Sequence, residues 1–302
     1  MRRQFAMLVL LLMMSGCATP TATAPAPQAV TIAFVGDILL TDGVLAGRGG
    51  DHPWARVAGQ LKQADLAIGN LETAVSTRGT PVPNKQYTFR SAPGALAGAA
   101  RAGIDVLSLA NNHSGDYGPE ALLDTIDHVK AAGIQPVGAG QDVNEAAKPV
   151  TLNVKGQTIA ILAFTRVIPE ADWVAGYQHP GLNPGWEPEP VLAAIRAARA
   201  QADAVIVLVH WGEEMKDRPR PTDIELADAM VKAGATVVAG HHPHVLQSIR
   251  HQGRSLVAYS LGNFIFTGSS SPLGRQSAIL TVRLGRQGVT SARLTPLSIV
   301  AG

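Results

Sequence analysis

The hydrophobic positions of the chain fall into short runs rich in valine, isoleucine and leucine, separated by glycine, proline and polar residues. Runs of this kind are typical of strands buried on both faces. They predict strands at 30–35, 65–69, 87–90, 104–109, 134–137, 150–154, 158–162, 204–209, 235–239, 245–249, 254–259, 276–283 and 289–299. Amphipathic or small-residue stretches predict helices at 54–63, 95–102, 119–132, 190–201 and 221–233. This succession indicates an α/β protein with a mixed sheet.

Side chains of the kinds that bind metals follow five of the predicted strands. They are Asp37, Glu72, Asn112 with His113, His210, and His242 with His244. Ligands collect at the carboxyl ends of strands in open α/β sheets, so these side chains are expected to converge. Taken singly, Asp37 could equally cap a helix or shape a turn, and a lone histidine such as His210 is more often structural.

The densest cluster is the stretch 239–245, in which three histidines occupy four positions. Gly240 allows a sharp turn after the strand, and Pro243 fixes the backbone between His242 and His244. Imidazole binds zinc, iron and manganese alike, so the stretch predicts a site for one or two divalent ions whose identity stays open. The alternative is a surface loop that is merely rich in histidine, because a metal site also needs ligands from elsewhere.

The mixture of carboxylate, amide and imidazole ligands matches a dinuclear design. Two ions about 3.5 to 4 Å apart share a bridging carboxylate and turn a water between them into a hydroxide nucleophile near neutral pH. Three basic residues, Arg78, Lys85 and Arg90, could bind an anionic substrate beside such a centre. The alternative for these three is a solvated rim.

The composition indicates a globular protein. The 302 residues are 46% hydrophobic and 16% charged, which excludes disorder for most of the chain. The formal net charge is +2, and Arg2 and Arg3 account for both charges. The chain beyond them is close to neutral, so no nucleic-acid surface is predicted.

The N-terminus predicts export and lipidation. A basic start precedes an apolar run at 5–14, and Ser-Gly then precedes the single cysteine, Cys17. This order resembles a bacterial lipoprotein signal. It implies a signal peptide at 1–16, a lipidated cysteine with a Pro/Ala/Thr tether at 17–29, and one folded domain at 30–302. The expected location is the bacterial cell envelope, on the periplasmic side of the outer membrane if the cell has one; the alternative is an ordinary secretory signal with an incidental cysteine.

Six short motifs together resemble a known group of proteins. They are Val35-Gly-Asp37, Gly69-Asn-Leu-Glu72, Asn111-Asn-His113, His210-Trp-Gly212, Gly240-His-His-Pro-His244 and Ser260-Leu-Gly-Asn-Phe264. Their order is similar to that of the calcineurin-like metallophosphoesterase superfamily and, within it, of the CapA-like family of poly-γ-glutamate capsule biosynthesis. The resemblance spans nearly all of the chain beyond the tether. It implies a four-layered α-β-β-α sandwich with two mixed sheets.

The resemblance also implies a role for each site residue. The first ion would be bound by Asp37 and His244, with Glu72 bridging to the second. The second ion would be bound by Asn112, His210 and His242. His113 would protonate the leaving group or stabilise developing charge. The superfamily's usual Asp-x-His position is occupied by Leu39, which leaves the first ion one ligand short.

These features predict a lipid-anchored, metal-dependent, hydrolase-like protein. Its substrate would be an anionic polymer or a small molecule, with poly-γ-glutamate the one that the resemblance implies. The expected partners are the membrane, through the lipid anchor, and the machinery that makes or exports the polymer. Two alternatives stay open: a non-catalytic protein that binds or tethers the polymer, and a phosphoesterase unrelated to capsule.

Overall fold

The computed structural model describes residues 28–45, 52–267 and 269–300. Their strands, in chain order, are β1 (Val30–Ile38), β2 (Leu66–Leu71), β3 (Ala74–Val75), β4 (Arg90–Ser91), β5 (Val106–Ser108), β6 (Gln135–Val137), β7 (Ala139–Gly140), β8 (Val150–Val154), β9 (Gln157–Thr165), β10 (Gly181–Leu182), β11 (Ala204–His210), β12 (Val237–His241), β13 (Ile249–Gln252), β14 (Ser255–Ala258), β15 (Asn263–Ile265), β16 (Gln276–Gly285) and β17 (Gly288–Ser298).

Helices connect many of these strands. They are α1 (Asp42–Leu45), α2 (Ala58–Leu61), α3 (Leu96–Ala102), α4 (Gly118–Ala131), α5 (Val143–Ala147), α6 (Pro188–Arg199) and α7 (Pro221–Ala233). Among the described residues, no helix is long and apolar enough to cross a membrane. The predicted signal peptide, Cys17 and most of the predicted tether lie outside the described residues.

Two mixed sheets form the framework. The first has the strand order β17-β16-β1-β2-β5-β6, with β15 also paired to β1, and the second has the order β13-β14-β12-β11-β9-β8. In the first sheet β1, β2, β5 and β6 are parallel, while β16 is antiparallel to both of its neighbours, β1 and β17. In the second, β9, β11, β12 and β14 are parallel and the edge strands β8 and β13 are antiparallel. The carboxyl ends of the parallel strands therefore lie side by side in each sheet.

The central strands are apolar on both faces, as their sequence runs predict. In β9, Ile159 and Ile161 join the core shared by the two sheets, while Ala160 and Leu162 join a second core on the outer face. Successive side chains of a strand point to opposite faces, so a strand covered on both sides reads as a continuous hydrophobic run.

The outer faces of both sheets are covered by helices. Leu61, Leu96 and Ile126 of α2, α3 and α4 pack on the first sheet, and Ile195 and Met230 of α6 and α7 pack on the second. The layers are therefore helices, sheet, sheet and helices. This arrangement confirms the predicted four-layered sandwich with two mixed sheets.

The helix predicted at 54–63 is wrong in length. A 3-10 turn at His52–Trp54 comes first, and α2 covers only Ala58–Leu61. Gly59 stands inside this stretch, and glycine disfavours a helix interior by up to about 1 kcal/mol relative to alanine. The buried side chains of Trp54 and Leu61 hold the segment against the first sheet instead.

Other elements also differ from the sequence-based predictions in their boundaries. The region 166–189, in which no strand or helix is predicted, contains a 3-10 turn at Ala171–Trp173 and strand β10, which pairs with β7. Helix α6 begins at Pro188, two residues earlier than predicted, because proline in the first turn needs no amide donor. The strand predicted at 87–90 forms only at Arg90–Ser91, where it pairs with β3.

Candidate metal centre

The predicted ligands are carried by neighbouring strand ends of both sheets. In the first sheet, Asp37 of β1 is in register with Asn70 of β2, and Glu72 follows directly. In the second sheet, His210 of β11 is in register with His241 of β12. Parallel pairing therefore sets side chains from distant parts of the sequence at the same level along each sheet.

The first group of ligands consists of Asp37, Glu72 and His244, whose ligand atoms all lie within 4.8 Å of one another. Nδ1 of His244 is 3.3 Å from Oδ2 of Asp37, and its Nε2 is 3.5 Å from Oε1 of Glu72. Asn70 donates from Nδ2 to Oδ1 of Asp37 at 2.9 Å, and Oδ1 of Asn263 lies 2.8 Å from Nδ1 of His244. Two carboxylates and an imidazole held in this way form a set that suits a divalent ion.

The second group adjoins the first. Nε2 of His210 is 2.7 Å from Oδ1 of Asn112, and the His210 and His242 rings are 4.8 Å apart between centroids. The His242 and His244 rings are 6.0 Å apart, which links the two groups. Glu214 adds a carboxylate, because its ligand atom lies within 4.8 Å of those of His242 and His244. Glu214 is not among the ligands predicted from the sequence, although its place in the Trp-Gly-Glu-Glu run after His210 is a signal for it.

The segment 241–244, which carries His242 and His244, has an unusual backbone. His242 and His244 adopt φ values of 97° and 57°, in a region that residues other than glycine rarely occupy. A Cβ at Gly240 would lie 2.0 Å from the carbonyl oxygen of Tyr259, so only glycine fits there. The His242 N–H lies 3.4 Å from Oδ2 of Asp37, to which it donates. Backbone strain of this kind persists where the surroundings hold it, and such positions cluster at functional sites.

Three buried polar atoms of the two groups have no hydrogen-bond partner among the described residues. They are Oε1 of Glu72, Nδ1 of His210 and Nδ1 of His242. Buried polar atoms are almost always paired, so three unpaired atoms in one cluster need an explanation. Coordination of a cation provides one, and carboxylate oxygen, amide oxygen and imidazole nitrogen suit manganese, zinc or iron. The residues present therefore fit a divalent metal.

Burial and mutual charge set the protonation of these side chains. Burial lowers the pKa of His244, but the Glu72 and Asp37 carboxylates outweigh it and raise that pKa to about 10. Burial and the charge of His244 lower the pKa of His242 to about 4, and burial with the charge of His242 lowers the pKa of His210 far below its ordinary value. Burial and the Asp37 charge also raise the pKa of Glu72 well above its ordinary value. Without a cation, a proton is thus held among His244, Glu72 and Asp37, while His210 and His242 are neutral and ready to act as ligands. A cation must displace this proton.

His113 stands beside the first group. Its Nε2 is 4.0 Å from Oε1 of Glu72, and its Nδ1 is 2.8 Å from Oδ2 of Asp116. Asp116 is fully buried and also accepts a hydrogen bond from Lys85, whose Nζ donates to the carbonyl oxygen of Asn112 at 2.6 Å. Burial lowers the pKa of His113 despite the Asp116 carboxylate. Asp116 is not among the residues predicted from the sequence, where its spacing of three residues from His113 was the available signal.

The three basic residues expected near the substrate lie in different surroundings. Lys85 contacts His113, Asn112 and Asp116 within the site region. Arg78 pairs with Asp124, whereas Arg90 donates to the carbonyl oxygen of Arg78 at 2.7 Å and lies over the ring of Tyr117. The contacts of the two arginines involve none of the predicted metal ligands.

Two neighbours of the cluster contribute no ligand. Nε2 of His241 lies 3.1 Å from the carbonyl oxygen of Val35, so this histidine is bonded to the strand behind it. Leu39 is buried, and its N–H donates to the carbonyl oxygen of Ile265 at 2.7 Å. A leucine side chain cannot bind a metal, so the first group keeps three ligand side chains among the described residues.

The fold of this chain is also found in known proteins. The fold is similar to that of the sulfate thiohydrolase SoxB of Thermus thermophilus, with a TM-score of 0.51 and 15% identity, over 86% of this chain and 46% of that chain. It is a metallophosphoesterase-like fold, as the motifs predict.

Proteins of similar sequence establish the family of this chain. The chain is 34% identical to the capsule biosynthesis protein CapA of Bacillus anthracis over 284 residues, which cover 91% of this chain and 69% of that one. It is 32% identical to the PGA biosynthesis protein CapA of Bacillus subtilis over 286 residues, which cover 93% and 74%. Residues 31–268 match the family described as bacterial capsule synthesis protein PGA_cap. On this evidence, the chain belongs to the PGA_cap family of bacterial capsule synthesis proteins.

Proposed function

We propose that this chain is a metal-dependent hydrolase of capsule metabolism that cleaves poly-γ-glutamate, or a closely related anionic polymer, at the cell envelope. One observation carries the hydrolase part: two buried carboxylates meet imidazoles from the other sheet, and three of their polar atoms lack hydrogen-bond partners within the described chain. The capsule part is supported by the family and by relatives named for capsule and PGA biosynthesis.

In the proposed mechanism the two ligand groups hold the metal and His113 handles the proton. A bound divalent ion supplies Lewis-acid chemistry and lowers the pKa of a water molecule. With Nδ1–H directed to Asp116, His113 presents Nε2 to the site, where it can hold a proton for the leaving group. Asp116 fixes the tautomer and the orientation of this ring, as carboxylates commonly do for histidines in metal sites.

The test is hydrolysis by the purified full-length protein loaded with manganese or zinc. We expect γ-linked glutamate oligomers to be cleaved, with new amino groups appearing, and we expect a chelator to stop the reaction until metal is restored. A folded, metal-loaded protein that cleaves neither these oligomers nor phosphate esters would exclude the proposal. Cleavage of phosphate esters alone would favour a phosphoesterase unrelated to capsule.

Leu39 favours a second candidate function. Because Leu39 replaces a usual ligand, the first group offers three ligand side chains among the described residues, and the chain could have kept the site as a scaffold for binding or tethering the polymer. Three protein ligands with an open position are nevertheless the common arrangement in catalytic zinc sites. Oligomer binding that persists without metal and without cleavage would favour this tethering protein.

We also propose that Cys17 is lipidated and anchors the chain to the envelope, where the machinery that makes or exports the polymer would be its partner. The support is the order of basic, apolar and small residues before Cys17. A Cys17→Ala chain is expected to shift from the membrane fraction to the soluble fraction. Alanine has no thiol to acylate, and without acyl chains the anchor is lost. Fractionation of cells and immunodetection measure this, with Thr21→Ala in the predicted tether as the control. A Cys17→Ala chain that stays membrane-bound would contradict the anchor.

A further inference from the structure

Two arginines share one buried carboxylate near the candidate metal centre. Arg220 binds Asp223 through Nε and Nη2 at 2.8 and 2.9 Å, and Arg166 binds it through Nη1 at 3.1 Å. Asp223 is 1% exposed, whereas the Arg166 and Arg220 side chains are 21% and 35% exposed. The carboxylate therefore fixes two guanidinium groups that still reach solvent.

The strand register places Arg166 at the same edge as the ligands. Arg166 directly follows β9, whose last residue Thr165 is in register with His210 of β11. The Arg166 N–H donates to the carbonyl oxygen of His210 at 2.8 Å. The backbone of a predicted ligand thus positions the first residue of this pair.

Asp223 lies beside the two loops that carry the histidine ligands. A Cβ at Gly212, two residues after His210, would lie 3.9 Å from Oδ2 of Asp223 and 3.1 Å from Cγ of Pro243. Pro243 separates His242 from His244 in the sequence. Besides burial and the charge of His244, the positive charge of Arg220 contributes to the lowered pKa of His242. The arginine pair is therefore next to the second ligand group.

The pair has more positive charge and more donors than Asp223 uses. Two guanidinium groups against one carboxylate leave a net charge of +1, although the exposed Glu213 adds its negative charge near Arg220. Arg166 gives one nitrogen to Asp223, and its Nε and Nη2 donate no hydrogen bond within the described chain. The Trp186 indole donates to the carbonyl oxygen of Arg166 at 3.2 Å, which steadies its backbone. Arg166 is thus held in place with free donors.

We propose that Arg166, held by Asp223, binds an anionic oxo group of the substrate beside the metal centre. The inference rests on the proposed function and names the group that the site recognises. In a γ-linked glutamate chain, the carbon attached to each amide nitrogen carries a free α-carboxylate. That carboxylate lies close to the bond to be cleaved, and a planar guanidinium binds it through two parallel hydrogen bonds. A phosphate group offers the same oxygen acceptors.

The experiment measures binding to the full-length, manganese-loaded protein by calorimetry, with a γ-linked glutamate oligomer and inorganic phosphate as separate probes. Arg166→Gln is expected to weaken binding of at least one probe about 10- to 100-fold, since hydrogen bonds to charged groups are the stronger ones. Its metal content should not change. Arg166→Lys, which keeps the charge and loses the paired donors, should lie between. Arg196→Gln, which removes an exposed arginine paired with Glu189, is the control and should bind like the wild type.

Each outcome is decisive. Loss of oligomer binding in Arg166→Gln identifies a carboxylate site, and loss of phosphate binding identifies a phosphate site. Equal binding by Arg166→Gln and the wild type, at equal metal content, would overturn the inference, and so would a wild type that binds neither probe. Arg220 keeps both of its bonds to Asp223 in the Arg166 variants, so the carboxylate is not left unpaired. Binding that depends on Arg166 without any hydrolysis would instead refute the proposed hydrolase and leave the anion site standing.

Discussion

A Glu72→Gln chain is expected to bind at least one metal ion fewer per molecule and to hydrolyse its substrate at least about 100-fold more slowly, since metal assistance contributes several kcal/mol and each 1.4 kcal/mol is a factor of ten. Glu72 is completely buried, and its Oε1 lies 3.5 Å from Nε2 of His244. Glutamine has nearly the same size and can still bond to Asn70, but it lacks the negative charge that a bridging ligand supplies.

Elemental analysis of the purified protein gives the metal content, and the initial rate of oligomer cleavage gives the activity. In the presence of a chelator, Glu72→Gln should unfold at the wild-type temperature or above it. Two buried carboxylates, Asp37 and Glu72, face the single His244 imidazole, and burial with the Asp37 charge raises the pKa of Glu72 well above its ordinary value. The variant no longer buries this second, excess charge. The rise in unfolding temperature on adding metal should disappear, since a ligand stabilises only the form that binds it. Glu120→Gln, an exposed change on α4, is the control. Unchanged metal content in Glu72→Gln would show that this carboxylate is not a ligand.

Asp116→Ala is expected to lower the free energy of unfolding by about 3–5 kcal/mol, as removal of one partner from a buried ion pair typically does. Asp116 is fully buried and accepts from Lys85, from the His113 ring at 2.8 Å and from the Phe89 N–H at 2.6 Å. Without it, the largely buried Lys85 ammonium has lost its counter-charge and the Phe89 N–H has lost its acceptor.

Denaturant titration in the presence of a chelator measures this loss without metal linkage. The double variant Asp116→Ala with Lys85→Met should lose clearly less stability than the sum of the two single variants, because residues in one ion-pair network are coupled. Glu189→Ala breaks an exposed pair with Arg196 and should cost less than about 1 kcal/mol. Additive losses in the double variant, or a loss in Asp116→Ala no larger than that of the control, would show that the buried pair does not hold this region together.

The framework of the site could be predicted because strand ends follow from local sequence. Asp37, Glu72 and His210 each stand at or just past a hydrophobic run that is apolar enough to be covered on both faces. Parallel pairing then brings such positions to one edge of a sheet, whatever the sequence distance between them. The His242 and His244 pair was equally visible, since glycine, proline and histidine at fixed spacing leave few backbone alternatives.

The partners of long charged side chains could not be predicted in the same way. Arg78 and Arg90 share a segment with Lys85, yet their guanidinium groups bind Asp124 and backbone carbonyl oxygens. Arg166 and Asp223 are 57 residues apart and meet only in the folded chain. Long side chains have many rotamers, and exposed ion pairs differ by about 1 kcal/mol or less, so local sequence does not decide which pair forms.

By itself, the sequence determined the buried strands, the residues at their ends and, through six motifs, the family and its four-layered fold. Periodicity and turn chemistry act over a few residues and can be read without coordinates. Only the tertiary structure decided that Asp116 binds both Lys85 and His113. It also brought Glu214 close to His242 and His244. In the same way, Asp223 binds Arg166 and Arg220 next to the ligands only in the folded chain. These contacts depend on how loops from separate strands pack against one another, and that packing is set by the whole core and not by any local pattern.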